Sequence, residues 1–400
     1  MTAVSTGTAA TCPSCGAERI AGATFCEACA FEFTDVGPQG GSATGAPARG
    51  EESPLDVGWT GPVDSDSTAT SGAPEPSEPT TGDGAPCRQC SDGHYLDGYC
   101  DTCGSKQPDP RDHFTEEPSA WVAGVCDIGK RHRRNEDAMA LSAEAAPGSF
   151  ATIVVCDGVS NSTDSHIASL AASRAAREVL ATPLPHGVGT RTALVAAAER
   201  RLADAVAAAD QAVEATTEAA GDAAVDSPPS CTFVAVVLSD GTAVAGNVGD
   251  SRAYWLPDNP ESAAIQLSED DSFAAAQMSA GVPRKEAETS AGAHAITRWL
   301  GVDSPDDLTP HTRDVDLTED GWVLLCSDGL WNYCSDAADL QRLVHETSTR
   351  LGDVGRHPPA LAQALTDFAN ESGGIDNITV ALARVGDTHT VDTPETKDTP

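Results

Sequence analysis

Five short acidic motifs are spread over the last two-thirds of this 400-residue chain: Asn135-Glu136-Asp137, Cys156-Asp157-Gly158, Gly249-Asp250-Ser251-Arg252, Ser327-Asp328-Gly329 and Asp376-Asn377. Each alone is a weak signal, because Asp-Gly is a common turn dipeptide; Leu238-Ser239-Asp240-Gly241 reads as a plain hairpin between two strands. The set says more. Val154-Val155-Cys156-Asp157 and Leu324-Leu325-Cys326-Ser327-Asp328 each put a carboxylate just beyond an apolar strand, and rigid strands can aim such groups at one point. Converging carboxylates push one another's pKa upward unless a cation neutralises them, and an all-oxygen set selects hard ions, magnesium or manganese, over zinc. The chemistry this pattern points to is a two-metal centre.

Two further residue sets have chemical meaning. Lys130-Arg131-His132-Arg133-Arg134 lies directly before the first acidic motif. In a chain of formal net charge -37 such a local excess suits a phosphate, which guanidinium engages bidentately; its bland counterpart is a solvated basic turn. Eight of the 13 cysteines form Cys-x-x-Cys units: Cys12 and Cys15 with Cys26 and Cys29, then Cys87 and Cys90 with Cys100 and Cys103. Four thiolates on two short knuckles suit one tetrahedral zinc ion per module, or the eight close one double ribbon. Gly16 and Gly104 follow a cysteine where a tight knuckle favours positive φ. Cys126, Cys156, Cys231, Cys326 and Cys334 lie in or beside apolar runs and read as buried core.

The elements that must hold these groups are legible in outline. Short apolar runs at Phe150 to Cys156, Cys231 to Leu238, Ala243 to Val248, Trp322 to Cys326 and Ile378 to Val385 read as strands. Ser165 to Leu180 and Arg191 to Ala219 read as helices, with shorter ones over Ser272 to Ala280, Ala337 to His345 and Pro359 to Asn370. The order implies an α+β class: two packed antiparallel β-sheets flanked by helices, preceded by small four-cysteine zinc ribbons and a disordered linker. The boundaries expected are a zinc-ribbon-like module at 10–34, a linker at 35–85 too poor in apolar residues to fold, a second module at 86–106, the main domain at 119–386 and a disordered tail at 387–400.

The five motifs, in this order, resemble the metal-dependent protein phosphatase family, also called PPM or protein phosphatase 2C, over roughly Ser119 to Val385. The resemblance implies that Asp157 bridges two metals, that Gly158 gives its backbone carbonyl to one, and that Asp328 and Asp376 complete the other. It implies that Glu136 or Asp137 holds the second ion, directly or through water, that Asp250 binds a third, and that Asn377 orients its neighbour. The implied reaction is hydrolysis of phosphoserine or phosphothreonine by a metal-bridging hydroxide. Two departures stand out. The position where the family usually keeps its phosphate-binding arginine holds His132, so that Arg131 or Arg133 would substitute. The usual Asp-Gly-x-Gly-Gly is Asp157-Gly158-Val159-Ser160-Asn161, with no histidine for a general acid; His132 or a metal-bound water would serve. Leu267 to Gly301 is similar to the family's substrate-facing flap, with Trp299 expected in the core and Arg252 in a structural ion pair.

The function expected is therefore a Ser/Thr phosphatase needing two or three manganese or magnesium ions, acting on phosphoproteins made by Ser/Thr kinases. Zinc ribbons would recruit it to a protein complex. The alternative is a catalytically weak adaptor with the same fold that binds phosphoproteins through Lys130 to Arg134. The acidic field disfavours nucleic acid and anionic membrane as partners. No apolar run reaches a membrane span, and Met1 to Ala10 lack the features of a secretory signal, so a cytoplasmic home is expected.

Overall fold

A computed structural model describes residues 84–87, 90, 92–184, 190–220 and 226–386. The first cysteine module (Cys12, Cys15, Cys26, Cys29), nearly all of the 35–85 linker and the 387–400 tail lie outside the described residues. The chain divides into two compact units, 1–107 and 108–400.

In the first unit, β1 (Tyr95–Leu96) and β2 (Tyr99–Cys100) form a hairpin. Its two turn residues, Asp97 and Gly98, both have positive φ, 52° and 77°, the conformation a two-residue hairpin demands and Asp-Gly supplies. Tyr95 is buried with Cys87 and Cys100 as a minimal core. Gly104 has φ 72°, as its place after a knuckle cysteine implied.

The second unit is a sandwich. One sheet has six strands in the order β10-β9-β12-β13-β4-β3, the other five in the order β11-β8-β7-β6-β5, and every pairing is antiparallel. In chain order the strands are β3 (His113–Ser119), β4 (Val122–Asp127), β5 (Ala138–Ala143), β6 (Phe150–Cys156), β7 (Phe233–Ser239), β8 (Thr242–Val248), β9 (Arg252–Pro257), β10 (Ile265–Gln266), β11 (His311–Asp316), β12 (Gly321–Cys326) and β13 (Ile378–Val385). The helices are α1 (Ser165–Leu180), α2 (Arg191–Ala220), α3 (Phe273–Ser279), α4 (Arg284–Glu288), α5 (Asp328–Trp331), α6 (Ala337–Leu351) and α7 (Pro358–Ser372).

The period-2 alternation of each central strand divides its side chains between two cores. Ile153 and Val155 of β6, Val323 and Leu325 of β12, and Ala381 and Ala383 of β13 meet between the sheets. Val154 and Cys156 face outward beneath α1 and α2, which contribute Ala168, Ala172, Ala176, Leu202 and Ala209 at helical spacing. On the far side, Leu324, Val380 and Leu382 pack beneath Leu340, Val344, Leu361 and Leu365 of α6 and α7. Both faces of each sheet are thus covered, which is why these strands read as continuous apolar runs.

The Leu238–Gly241 motif is the hairpin expected, with Ser239 opposite Thr242 and positive φ at Asp240 and Gly241. The sandwich begins earlier than residue 119: β3 and a turn at Pro110–Asp112 belong to the second unit, which starts at Pro108. Trp299 is not in the core; it is half-buried because its indole N–H reaches out to Asp303 Oδ1 at 2.9 Å. Cys126, Cys156, Cys231 and Cys326 are buried and Cys334 is half-buried. Among the described residues, no helix is long and apolar enough to cross a membrane.

Candidate active site

Antiparallel pairing brings the acidic motifs to one end of the sandwich. Cys156 at the end of β6 lies opposite Ala138 at the start of β5, so Asp157 and Asp137 leave adjacent strands side by side. In the other sheet Cys326 at the end of β12 lies between Arg252 at the start of β9 and Val380 near the start of β13. Asp328, Asp250 and Asp376 are therefore close to neighbouring strand ends. Two glycines permit the close approach. A Cβ on Gly329 would stand 1.9 Å from the Asn377 carbonyl oxygen, and one on Gly158 would stand 2.7 Å from that of Glu136.

The electrostatics agree with this convergence. Burial and then the charges of Asp137, Asp328, Asp376 and Asp250 push the Asp157 carboxyl well above its ordinary range. Asp328 is raised in the same way, by burial and then by Asp376, Asp250 and Asp137. Burial and then Asp270 raise Asp250 to about 7, and burial raises Asp137 to about 6; burial also raises Glu136. Such a set ionises fully only beside a cation. Asp328 Oδ2 accepts from Asn332 at 3.0 Å, while its Oδ1 is buried with no hydrogen-bond partner. Asp137 Oδ1 is likewise buried with no partner, and such oxygens on mutually repelling carboxylates fit a hard divalent ion.

The remaining contacts fix the acidic residues from behind. Asn377 Oδ1 accepts from the Glu136 N–H at 2.8 Å, and its Nδ2 donates to the carbonyls of Ile128 and Arg134 at 2.8 and 3.2 Å. Asp137 Oδ2 accepts from Ser327 Oγ and Thr379 Oγ1, both at 2.7 Å. Thr232 Oγ1 accepts from the Asp157 N–H at 3.1 Å, and the Thr232 N–H donates to the Asp157 carbonyl at 2.8 Å. Sequence motifs did not mark Ser327, Thr379 or Thr232 as supports. Their only signal is a hydroxyl inside or next to an apolar strand, where a buried polar group needs a partner.

Of the phosphate-binding candidates, His132 reaches the cluster, with Nε2 3.1 Å from Asp376 Oδ1. Arg131 and Arg133 are exposed, and Arg134 lies 3.5 Å from Asp164 and 3.2 Å from His166. Arg252 is the structural ion-pair partner expected. It is buried, donates to Asp270 at 2.6 to 3.1 Å, and stacks 3.7 Å above Trp331, whose indole N–H holds the Asp250 carbonyl at 2.9 Å. The acid cluster thus sits beside a second one already neutralised by a guanidinium.

In the first unit, the sulfur atoms of Cys87, Cys90, Cys100 and Cys103 lie within 4.8 Å of one another. The Cys87–Cys103 and Cys90–Cys100 separations are both 3.7 Å. Tetrahedral zinc with bonds of about 2.3 Å requires sulfur edges of about 3.8 Å. The N–H groups of Thr102 and Cys103 point at Cys100 Sγ from 3.4 Å.

The protein phosphatase 2C family model matches residues 128–368, more than half of the chain. The chain belongs to that family. Among protein phosphatase 2C relatives, the serine/threonine phosphatase stp of Listeria welshimeri is 30% identical over 155 residues, 38% of this chain and 55% of that protein. Protein phosphatase PhpP of Streptococcus pneumoniae is 30% identical over 157 residues, 39% of this chain and 58% of that protein. The chain thus spans a little over half the length of the curated relatives it matches. The crystal structure of serine/threonine phosphatase Stp1 from Staphylococcus aureus, 21% identical, aligns at a TM-score of 0.54 over 66% of this chain and 95% of that one, a likeness of fold. The family fold is the sandwich of two antiparallel sheets and flanking helices described above.

Proposed function

We propose that this chain is a metal-dependent protein Ser/Thr phosphatase, and the observation that carries the proposal is the partly buried acid cluster with its unpartnered Asp137 and Asp328 oxygens. Asp157, the Gly158 carbonyl, Asp328 and Asp376 would hold a pair of manganese or magnesium ions, with Glu136 on the second ion and Asp250 on a third. Two hydroxyls orient Asp137 through its Oδ2, and its unpartnered Oδ1 would share that second ion, directly or through water. Bound divalent ions would supply a water acidified from 15.7 toward about 7 and a counter-charge for the phosphoryl oxygens. The chain's own residues do the rest. The exposed Arg131 and Arg133, with His132 beside Asp376, present cations to a phosphate dianion entering at the rim. Asn377 and Thr232 hold Glu136 and Asp157 in line by their main chains.

Phosphoproteins made by Ser/Thr kinases are the proposed substrates. Zinc is proposed for the Cys87, Cys90, Cys100 and Cys103 set on its sulfur separations, and for Cys12, Cys15, Cys26 and Cys29 on their spacing. The ribbons are proposed to recruit a protein partner, and reduced thiolates suit the cytoplasm. The test is hydrolysis of a phosphothreonine peptide by the purified chain with manganese, with chelator, and with Asp157→Ala. Metal-dependent turnover that the substitution abolishes supports the reading. A folded chain with no turnover on several peptides overturns it in favour of the phosphoprotein-binding adaptor.

A further inference from the structure

All four main-chain polar groups of the Glu136-Asp137 dipeptide are tied down by side chains. The Glu136 N–H is held by Asn377 Oδ1 at 2.8 Å and the Glu136 carbonyl by Ser169 Oγ at 2.5 Å. The Asp137 N–H is held by Asn135 Oδ1 at 3.2 Å, and the Asp137 carbonyl by Arg111 Nη2 at 2.8 Å. Arg111 is the one cation in this set, and it comes from outside both the acidic motifs and the 128–368 region matched by the family model.

Its placement is built in. Arg111 lies in the turn Pro110–Asp112, closed by a reciprocal capping box between Asp109 and Asp112. Its other terminal nitrogen, Nη1, donates to the His166 carbonyl in the first turn of α1 at 2.7 Å, and its own carbonyl accepts from Asn135 Nδ2 at 2.8 Å. The Asp112 carbonyl accepts from the Ile128 N–H at 2.7 Å, which ties the turn to the chain leaving β4. Both terminal nitrogens of Arg111 are directed to main-chain carbonyls and its Nε has no hydrogen-bond partner. The guanidinium therefore works as a two-pronged clamp between the start of β5 and the start of α1. Those two segments carry Glu136 and Asp137 on one side and follow Asp157 and Gly158 on the other.

We propose that Arg111 is a positioning residue that sets the Glu136-Asp137 pair for metal binding, an inference that rests on the metal-centre reading above. Partners one shell behind a metal ligand typically set affinity by 10- to 100-fold, and a planar fork bridging two carbonyls has no equivalent in lysine. The experiment is Mn2+ titration calorimetry on the full chain, wild type against Arg111→Met and Arg111→Lys. Arg384→Met serves as control, since Arg384 is a buried guanidinium at the opposite end of β13 that donates to Asp258 at 2.7 and 2.8 Å.

The expected result is an Mn2+ dissociation constant raised about tenfold or more in Arg111→Met, with an intermediate rise in Arg111→Lys. At saturating Mn2+ the KM for a phosphothreonine peptide stays at the wild-type value, and Arg384→Met keeps wild-type Mn2+ affinity while its melting temperature falls. If Arg111→Met does not fold, Arg111→Lys decides alone. An Arg111 variant within twofold of wild type, or an equal loss in Arg384→Met, overturns the proposal. A wild-type chain that binds no Mn2+ overturns the metal centre itself.

Discussion

The two candidate metal-site clusters of this chain are assembled in opposite ways. The four cysteines come from 17 consecutive positions, Cys87 to Cys103, and a two-strand hairpin brings them together. The carboxylates come from five separated strand ends, with the bond from the Glu136 N–H to Asn377 Oδ1 bridging 241 positions. A local cluster is specified by spacing, so its ligands are visible in the sequence. A cluster assembled by topology is visible only once the strand order is known, and its geometry depends on both sheets being complete. The two also differ in chemistry: soft sulfurs in a small hairpin that needs a staple, against hard oxygens on a scaffold with three large cores and a small fourth of its own.

The largest effect that sharpens the contrast is expected from Asp328→Ala. It should lower kcat/KM on a phosphothreonine peptide on the order of a thousandfold or more, at least the loss seen for one transition-state donor, while the zinc content measured by plasma emission stays unchanged. Cys100→Ser is the converse: one zinc per chain is lost, and turnover of a short peptide stays within about twofold, the scatter expected of a site that shares no ligand with the chemistry. Equal loss of turnover in both variants would break the contrast.

The pH response comes next. In the metal-free chain burial pushes Asp137 up to about 6 and Asp250 up to about 7, against about 3.9 when unfolded. The folded state therefore binds more protons between those limits. Their stabilising contribution is full below about pH 4 and is lost as pH rises through about 6 to 7. A thermal melt without metal should show these carboxyls lowering the melting temperature from pH 5 to pH 8, and saturating Mn2+ should remove most of that slope. A slope unchanged by Mn2+ would mean that the ions do not bind these carboxylates. The smallest effect is expected from Ser327→Ala, which withdraws one of the two hydroxyls on Asp137 Oδ2 and costs about 1 kcal/mol, the net worth of a typical hydrogen bond. Denaturant melts of the metal-free chain measure it directly.

Sequence patterns revealed β6, β7, β12 and β13 because they are mostly apolar and buried on both faces. Two of the edge strands were silent for the matching reason. β11, His-Thr-Arg-Asp-Val-Asp, and β3, His-Phe-Thr-Glu-Glu-Pro-Ser, are part-exposed outer strands whose polar residues suit an edge and carry no apolar run. β9 was hidden differently: it is buried throughout but opens on Arg252, whose partners Asp270 and Glu288 lie 18 and 36 positions away. The acidic ligand candidates were legible as motifs. Their supports were not, since Arg111, Thr232 and Thr379 act through the main chain or through buried hydroxyls, which no spacing rule marks.

The strand order of the six-stranded sheet bears on how the protein is made. β13, near the carboxyl end, is not an edge; it inserts between β12 and β4 and carries Asp376 and Asn377 at its leading end. A chain emerging from the ribosome amino terminus first holds Glu136, Asp157, Asp250 and Asp328 long before that strand arrives. Until then β12 and β4 have no common neighbour, the Glu136 N–H lacks its Asn377 acceptor, and the acid cluster is missing a member. The proposed metal site therefore depends on β13: a chain cut before residue 376 is expected to lack both Asp376 and the Asn377 clasp on Glu136.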